Sequence, residues 1–123
     1  MILSKLAAAT LVVGVAGSVV ESPTRQLSVQ QKDAATMAYV RSATDCIART
    51  VASDTRFRKD NPASNLGDLI VESMPKCLDP VRAMIAAYDR YFGDGAGEDF
   101  FVGPYLDVLP DAVVHRMKSI ITE

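Results

Sequence analysis

The sequence predicts an all-α fold: a small bundle of about four helices stapled by one disulfide, after a cleaved N-terminal signal peptide. Three observations predict it. Apolar residues recur at three- and four-residue steps, the period of a helix, and no run alternates for long enough to form a strand. The chain holds two cysteines, and its first twenty residues are mostly apolar. We therefore expect a signal peptide over residues 1–18, a flexible lead-in over 19–28 and a single helical domain over 29–123.

The start of the chain has the three parts of a signal peptide. Lys5 is the only charge before an uncharged run of 15 residues, 6–20, and the small residues Ala16 and Ser18 follow within it. This order of basic, apolar and small residues is typical of a secretory leader, and it favours cleavage after Gly17 or Ser18. The alternative is a retained anchor, but a membrane span needs about 20 apolar residues. We expect a periplasmic or secreted protein with no stable membrane span after cleavage.

The net charge of the chain argues against a nucleic-acid partner. Without Lys5, the remaining 12 basic and 15 acidic residues give a net charge of −3. Nucleic-acid binding requires a strongly basic face, so we expect no nucleic-acid partner. About a hundred residues are sufficient for one core and insufficient for two.

The two cysteines, Cys46 and Cys77, are predicted to form a structural disulfide. An even number of cysteines in a small exported protein is typical of a disulfide. Closing a loop of this length contributes about 3–4 kcal/mol in the loop-entropy model. The alternative is a pair of free or metal-binding thiols. Zinc would need about four ligands, and His115 is the only histidine that could add to them.

The first helix is predicted from about Val29 to Ser53. Ser28 and Gln31 have the spacing of a capping box. The apolar stripe of this helix contains Met37, Val40, Thr44, Ile47 and Val51, and its solvated face contains Lys32, Arg41, Asp45 and Arg49.

The remaining helices are predicted from their caps. Asn65 is the expected cap of a shorter helix, Asp79-Pro80 the start of the next and Gly93 its end. Pro110-Asp111 is the expected start of the last helix. The connection over 54–64 has a basic cluster around Phe57. We expect a solvated loop with Phe57 on the core; the alternative is contact with an anionic partner.

No catalytic constellation is evident in the sequence. His115 has no nucleophile placed with it by a recognised motif, and Gly97 is followed by Glu98, which excludes a P-loop. The acidic residues of the 89–111 stretch suit calcium in type, but their spacing excludes an EF-hand. An irregular calcium site stays open, with an acidic surface loop as the expected structure. We expect no enzyme activity, no metal and no cofactor.

Aromatic residues are concentrated between positions 88 and 105, where six of the eight lie. They are expected to fill a small core where two helices and a loop meet. The alternative is an exposed patch for a partner, with Tyr91, Phe101 and Tyr105 as its outward members.

The function expected from these features is non-enzymatic binding of an unknown protein or small-molecule partner in the cell envelope. The alternative is a periplasmic stress-responsive chaperone, a holdase, and a carboxylate-based enzyme is a third hypothesis. The general build resembles small periplasmic acid-stress chaperones and periplasmic immunity proteins. The resemblance is limited to architecture, so it assigns no role to any residue.

Overall fold

The computed structural model describes residues 27–122, except for the side chains at positions 63, 121 and 122. The predicted signal peptide, 1–18, and most of the predicted lead-in, 19–28, lie outside the described residues. The chain divides into two units, Met1–Lys32 and Asp33–Glu123.

The described residues are helical and contain no strand, which confirms the all-α prediction. Three long helices are present: α1 over Val29–Ala52, α2 over Leu78–Phe92 and α3 over Leu106–Thr122. The shorter segments are α-helical Leu66–Ser73 and Ala96–Phe100, 3₁₀-helical Pro62–Ser64 and Met74–Cys77, and π-helical Phe101–Tyr105.

The predicted count of about four helices is wrong, since three long helices are found in this part of the chain. The helix expected after Asn65 is only eight residues long, Leu66–Ser73. Pro75 lies in the first turn of the 3₁₀ segment Met74–Cys77 that follows it. Proline has no N–H to continue an α-helical ladder, which accounts for the early end of this short helix.

The predicted capping box is present at the start of α1. The backbone N–H of Gln31 donates to Ser28 Oγ at 3.1 Å, and the backbone N–H of Ser28 donates to Gln31 Oε1 at 2.8 Å. Each side chain thus satisfies a backbone amide that the helix leaves without a partner.

Two predicted helix starts are wrong. Helix α2 begins at Leu78 with Cys77 as its cap, so Asp79 lies in the first turn. The preceding 3₁₀ segment runs directly into α2, and no separate cap is needed. Helix α3 begins at Leu106 and contains Pro110. The π-helical segment leads directly into it, so the helix does not begin at Pro110. The missing N–H of Pro110 removes one backbone hydrogen bond from α3. The predicted end of α2 is confirmed at Gly93, which has a φ of +112°.

The core of the unit Asp33–Glu123 is built from one face of each long helix and from the short helix 66–73. Burying each large aliphatic side chain contributes about 1.5–3 kcal/mol. Of the predicted stripe of α1, Thr44, Ile47 and Val51 are buried, whereas Met37 is 44% exposed. Ala43 and Ala48 are also fully buried. The largest apolar side chains that are completely buried are Ile47, Val51, Met84, Leu109, Val113 and Met117.

The disulfide between Cys46 and Cys77 is present, as predicted. It joins the middle of α1 to the residue before α2, with the two Cα atoms 5.9 Å apart. Within residues 27–122, no helix is both long and apolar enough to span a membrane.

Candidate functional site

The predicted aromatic patch is contradicted at Tyr105, which is only 2% exposed. Its ring lies near those of Phe100 and Phe101, with centroid distances of 5.7 Å and 5.9 Å. Its hydroxyl is 2.9 Å from Thr44 Oγ1 in a buried hydrogen bond. The prediction that Tyr105 faces outward is therefore wrong, because the π-helical segment turns this ring into the core and α1 supplies its polar partner.

The other two predicted patch residues, Tyr91 and Phe101, are half-buried. Phe101 packs against the core. The guanidinium carbon of Arg90 lies 5.4 Å from the ring centroid of Tyr91 and 5.9 Å from that of Tyr39. Both geometries are within the range of a cation–π contact. A role of Tyr91 and Phe101 in partner binding stays a prediction.

Tyr88, Phe100, Phe101 and Tyr105 instead belong to the core or pack against it, as the first hypothesis expected. Tyr88 and Phe100 stack with centroids 4.0 Å apart and planes 8° apart. Helix α2 and the short helix 96–100 hold this stack.

Two of the three basic residues around Phe57 form ion pairs within this region. The guanidinium of Arg56 pairs with Asp54 at 2.9 Å and also with Glu72, while Arg58 pairs with Asp60 at 2.9 Å. Phe57 packs against the core. These contacts favour the expected solvated loop over a surface for an anionic partner.

A groove of about 680 Å³ lies between α1 and α3. This volume falls within the range of ligand sites, about 300–1,000 Å³. Residues three and four apart share a helix face, and both helices present such a face here. The groove is lined by Ala38, Val40, Arg41, Ser42, Thr44 and Asp45 of α1 and by Ala112, His115 and Arg116 of α3.

Small side chains leave the groove open. Ala38 and Ser42 are one helical turn apart on α1, and Ala112 lies on α3. None of them is large enough to fill the space between the two helices. Thr44, which also lines the groove, makes the buried hydrogen bond to Tyr105. This hydrogen bond connects a residue that lines the groove to the aromatic core.

Asp45 is shared by two arginines. Its Oδ1 accepts a hydrogen bond from Nε of Arg116, and its Oδ2 accepts one from Nε of Arg49 at 3.3 Å. Burial raises the pKa of Asp45, but hydrogen bonds and charge from Arg116 and Arg49 outweigh it and hold this pKa below its usual value. Asp45 is therefore ionised at neutral pH.

Positive charge exceeds negative charge at the groove. Arg41 is exposed and forms no ion pair with any residue in the described range. Among the residues that line the groove, the two guanidiniums of Arg41 and Arg116 exceed the single carboxylate of Asp45. The groove is a local basic site in a chain whose net charge is −2.

His115 is exposed on the α3 side of the groove. No hydrogen bond joins it to a serine or cysteine among the described residues, whereas nucleophilic catalysis requires such a pair. Over the same residues, no group of three His, Cys, Asp or Glu side chains could hold a metal ion. The groove offers donors and charge for binding, with no assembled catalytic pair.

Sequence reasoning placed Arg41, Asp45 and Arg49 with Lys32 on the solvated face of the first helix. Arg41 and Arg49 are exposed, as predicted, whereas Asp45 is half-buried and pairs with Arg116 of α3. Sequence reasoning did not predict that His115 and Arg116 lie beside them. The helical spacing of 112, 115 and 116 was a signal for a shared face on α3. Nothing in the sequence paired that face with α1.

Comparisons with known proteins add no relative to this description. No protein-family model, no curated protein and no solved structure was found to match the chain.

Proposed function

We propose that this chain is a non-enzymatic binding protein of the cell envelope, and that the groove between α1 and α3 is its binding surface. The observation that carries the proposal is the groove itself, open over about 680 Å³ and lined by two arginines and a histidine. Arginine presents several N–H donors in a fixed plane, which suits recognition of a ligand without a chemical step.

Site-specific photo-cross-linking tests this proposal in the native compartment. A photoreactive phenylalanine derivative replaces Ser42, which is exposed and lines the groove. The matched control carries it at Ala83, which is exposed on α2. We expect a discrete adduct from position 42 alone, identified by mass spectrometry. No adduct at position 42, or the same adduct from both positions, would contradict the proposal.

A holdase is the second candidate function, and a different surface favours it. Val102 and Val108 are 58% and 57% exposed, with Leu106 between them at 39%. The neighbouring Asp107 and Asp111 are also exposed. The net negative charge of the chain falls as the solution becomes more acid, so this candidate predicts stronger binding of clients at the apolar surface in acid.

Light scattering of an aggregating client at mildly acid pH tests the holdase. We expect the wild type to suppress aggregation and the double variant Val102→Ser/Val108→Ser to lose this effect. Val71→Ser is the matched control, because Val71 is 68% exposed on the short helix 66–73. Equal protection by all three proteins, or protection by none, would rule this candidate out.

A further inference from the structure

We infer that the occupant of the groove between α1 and α3 is an acidic segment of a partner protein, held by its carboxylate side chains. This inference rests on the proposed function and names the chemistry of the partner. It depends on three features: the charge around the groove, the donors left available there, and the openness of the site.

The charge imbalance selects an anion. Asp45 already accepts hydrogen bonds from Arg49 and Arg116, one on each carboxylate oxygen. Neither Asp45 nor any other carboxylate in the described part of the chain forms an ion pair with Arg41. A carboxylate of the partner would supply the negative charge that no described residue places against Arg41.

The available donors suit a carboxylate. Arg116 contacts Asp45 through Nε, and no described residue accepts a hydrogen bond from its two terminal nitrogens. Arg41 is exposed, and its guanidinium donates no hydrogen bond to any described residue. All of its N–H groups are therefore available to a partner. A planar guanidinium can donate two parallel hydrogen bonds to one carboxylate. Two carboxylates along one segment could therefore be bound, one by each arginine.

The openness of the groove favours a partner protein over a small molecule. A small ligand is normally enclosed over about 70–90% of its surface. Here Arg41, Ser42 and His115 are exposed at the rim, and Ala38 is exposed as well. The small side chains of Ala38 and Ser42 allow the backbone of a segment to approach α1 closely. A larger partner can add contacts outside the groove that a small ligand could not reach.

The test measures binding of a short blocked peptide of alternating Glu and Ala to the full chain by fluorescence anisotropy at low salt. We expect Arg41→Ala to weaken this binding roughly fivefold, the upper range for one exposed ion pair. Arg82→Ala, the loss of an exposed arginine on α2, should leave it unchanged. Added salt should weaken binding of the wild-type chain.

Three further ligands distinguish recognition of an acidic segment from binding of an uncharged peptide, a free anion or an anionic membrane. The matching Gln-Ala peptide, inorganic phosphate and phosphatidylglycerol vesicles should each bind weakly and with no dependence on Arg41. Amide chemical shifts should change at residues 38–45 and 112–116 on adding the acidic peptide. The inference is overturned if the Gln-Ala peptide binds equally well, if vesicles or phosphate bind in preference, or if Arg82→Ala matches Arg41→Ala.

The cross-linking experiment keeps the two proposals distinguishable. If position 42 gives a discrete adduct while the acidic peptide fails to bind, the binding function survives and the acidic partner is rejected. If position 42 gives no adduct, the proposed function fails first.

Discussion

Gly97 sets how closely the short helix 96–100 approaches α2. A Cβ at this position would overlap the backbone carbonyl of Ile85, so two backbones are in contact here. The N–H of Gly97 also donates to Asp89 Oδ1 at 2.8 Å. Only glycine allows this approach, which in turn brings Phe100 onto Tyr88.

We expect Gly97→Ala to lower the free energy of unfolding by about 1–3 kcal/mol, the usual cost of overpacking. The measurement is urea denaturation followed by circular dichroism. The matched control is Gly67→Ala in the short helix 66–73, where a Cβ would meet no atom within 4 Å. That control should be stabilised by about 0.5–1 kcal/mol. Equal effects of the two changes would contradict this account of Gly97.

The buried hydrogen bond between Tyr105 and Thr44 ties the π-helical segment to α1. Tyr105→Phe removes the phenolic hydroxyl, keeps the ring and leaves the Thr44 hydroxyl buried without this partner. We expect a loss of about 1–3 kcal/mol in the free energy of unfolding. The double variant Tyr105→Phe/Thr44→Val removes both groups and should recover part of that loss. A double-mutant cycle with no coupling would show that the hydrogen bond does not contribute.

The same residue predicts a dependence on alkaline pH. Burial raises the pKa of Tyr105 above its ordinary value of 10.0, and the hydrogen bond with Thr44 offsets this only in part. The folded chain then keeps the phenol protonated at a pH where the unfolded chain loses the proton. This contribution to stability is fully present below about pH 10 and is lost as pH rises further. Stability of the wild type should therefore fall more steeply above about pH 10 than that of Tyr105→Phe.

At the scale of the element, the first turn of α1 depends on its capping box. Ser28 and Gln31 exchange backbone-to-side-chain hydrogen bonds of 3.1 Å and 2.8 Å. Helix ends without such partners fray, because their first amides have no acceptor within the helix.

Ser28→Ala should weaken this end of α1 by about 1 kcal/mol. Amide hydrogen exchange measures it, and the protection of Gln31 should fall roughly fivefold. Gln30→Ala changes an exposed neighbour outside the box and should leave protection unchanged. If both variants exchange alike, the box does not hold the helix end.

Helix α3 is continuous with the π-helical segment Phe101–Tyr105, and this continuity positions the site. The π-helical turn places Tyr105 inward, while α3 carries Ala112, His115 and Arg116 to the groove. Sequence patterns favoured a break at Pro110, because proline is common in the first turn of a helix. The helix accommodates Pro110 near its start instead.

At the scale of the whole molecule, the disulfide joins two positions separated by 31 residues. Cross-linking reduces the conformational freedom of the unfolded chain. In the loop-entropy model this contributes about 3–4 kcal/mol, a large part of the 5–15 kcal/mol or so that is typical of a domain.

The double variant Cys46→Ala/Cys77→Ala should therefore lose about 3–4 kcal/mol of unfolding free energy. Urea denaturation at neutral pH measures the loss. Reductant should shift the wild-type midpoint in the same direction and leave that of the double variant unchanged. A wild-type midpoint that does not respond to complete reduction would contradict a stabilising role for the disulfide.

The sequence by itself determined the features that depend on neighbouring residues. Helical periodicity, the capping box at Ser28 and the glycine at Gly93 are local signals, and each is confirmed. The pairing of Cys46 with Cys77 followed from their number, since two cysteines allow only one intramolecular disulfide.

Only the tertiary structure decided which faces meet. The bond from Tyr105 to Thr44 spans 61 positions and that from Arg116 to Asp45 spans 71. Periodicity shows that a residue lies on an apolar or polar face, but it does not identify the helix opposite. For that reason the sequence did not decide whether Tyr105 is buried or faces outward. The basic groove between α1 and α3 likewise could not be predicted before the two helices were packed. Its charged residues, Arg41 and Asp45 on one side and Arg116 on the other, are about 70 positions apart in the sequence.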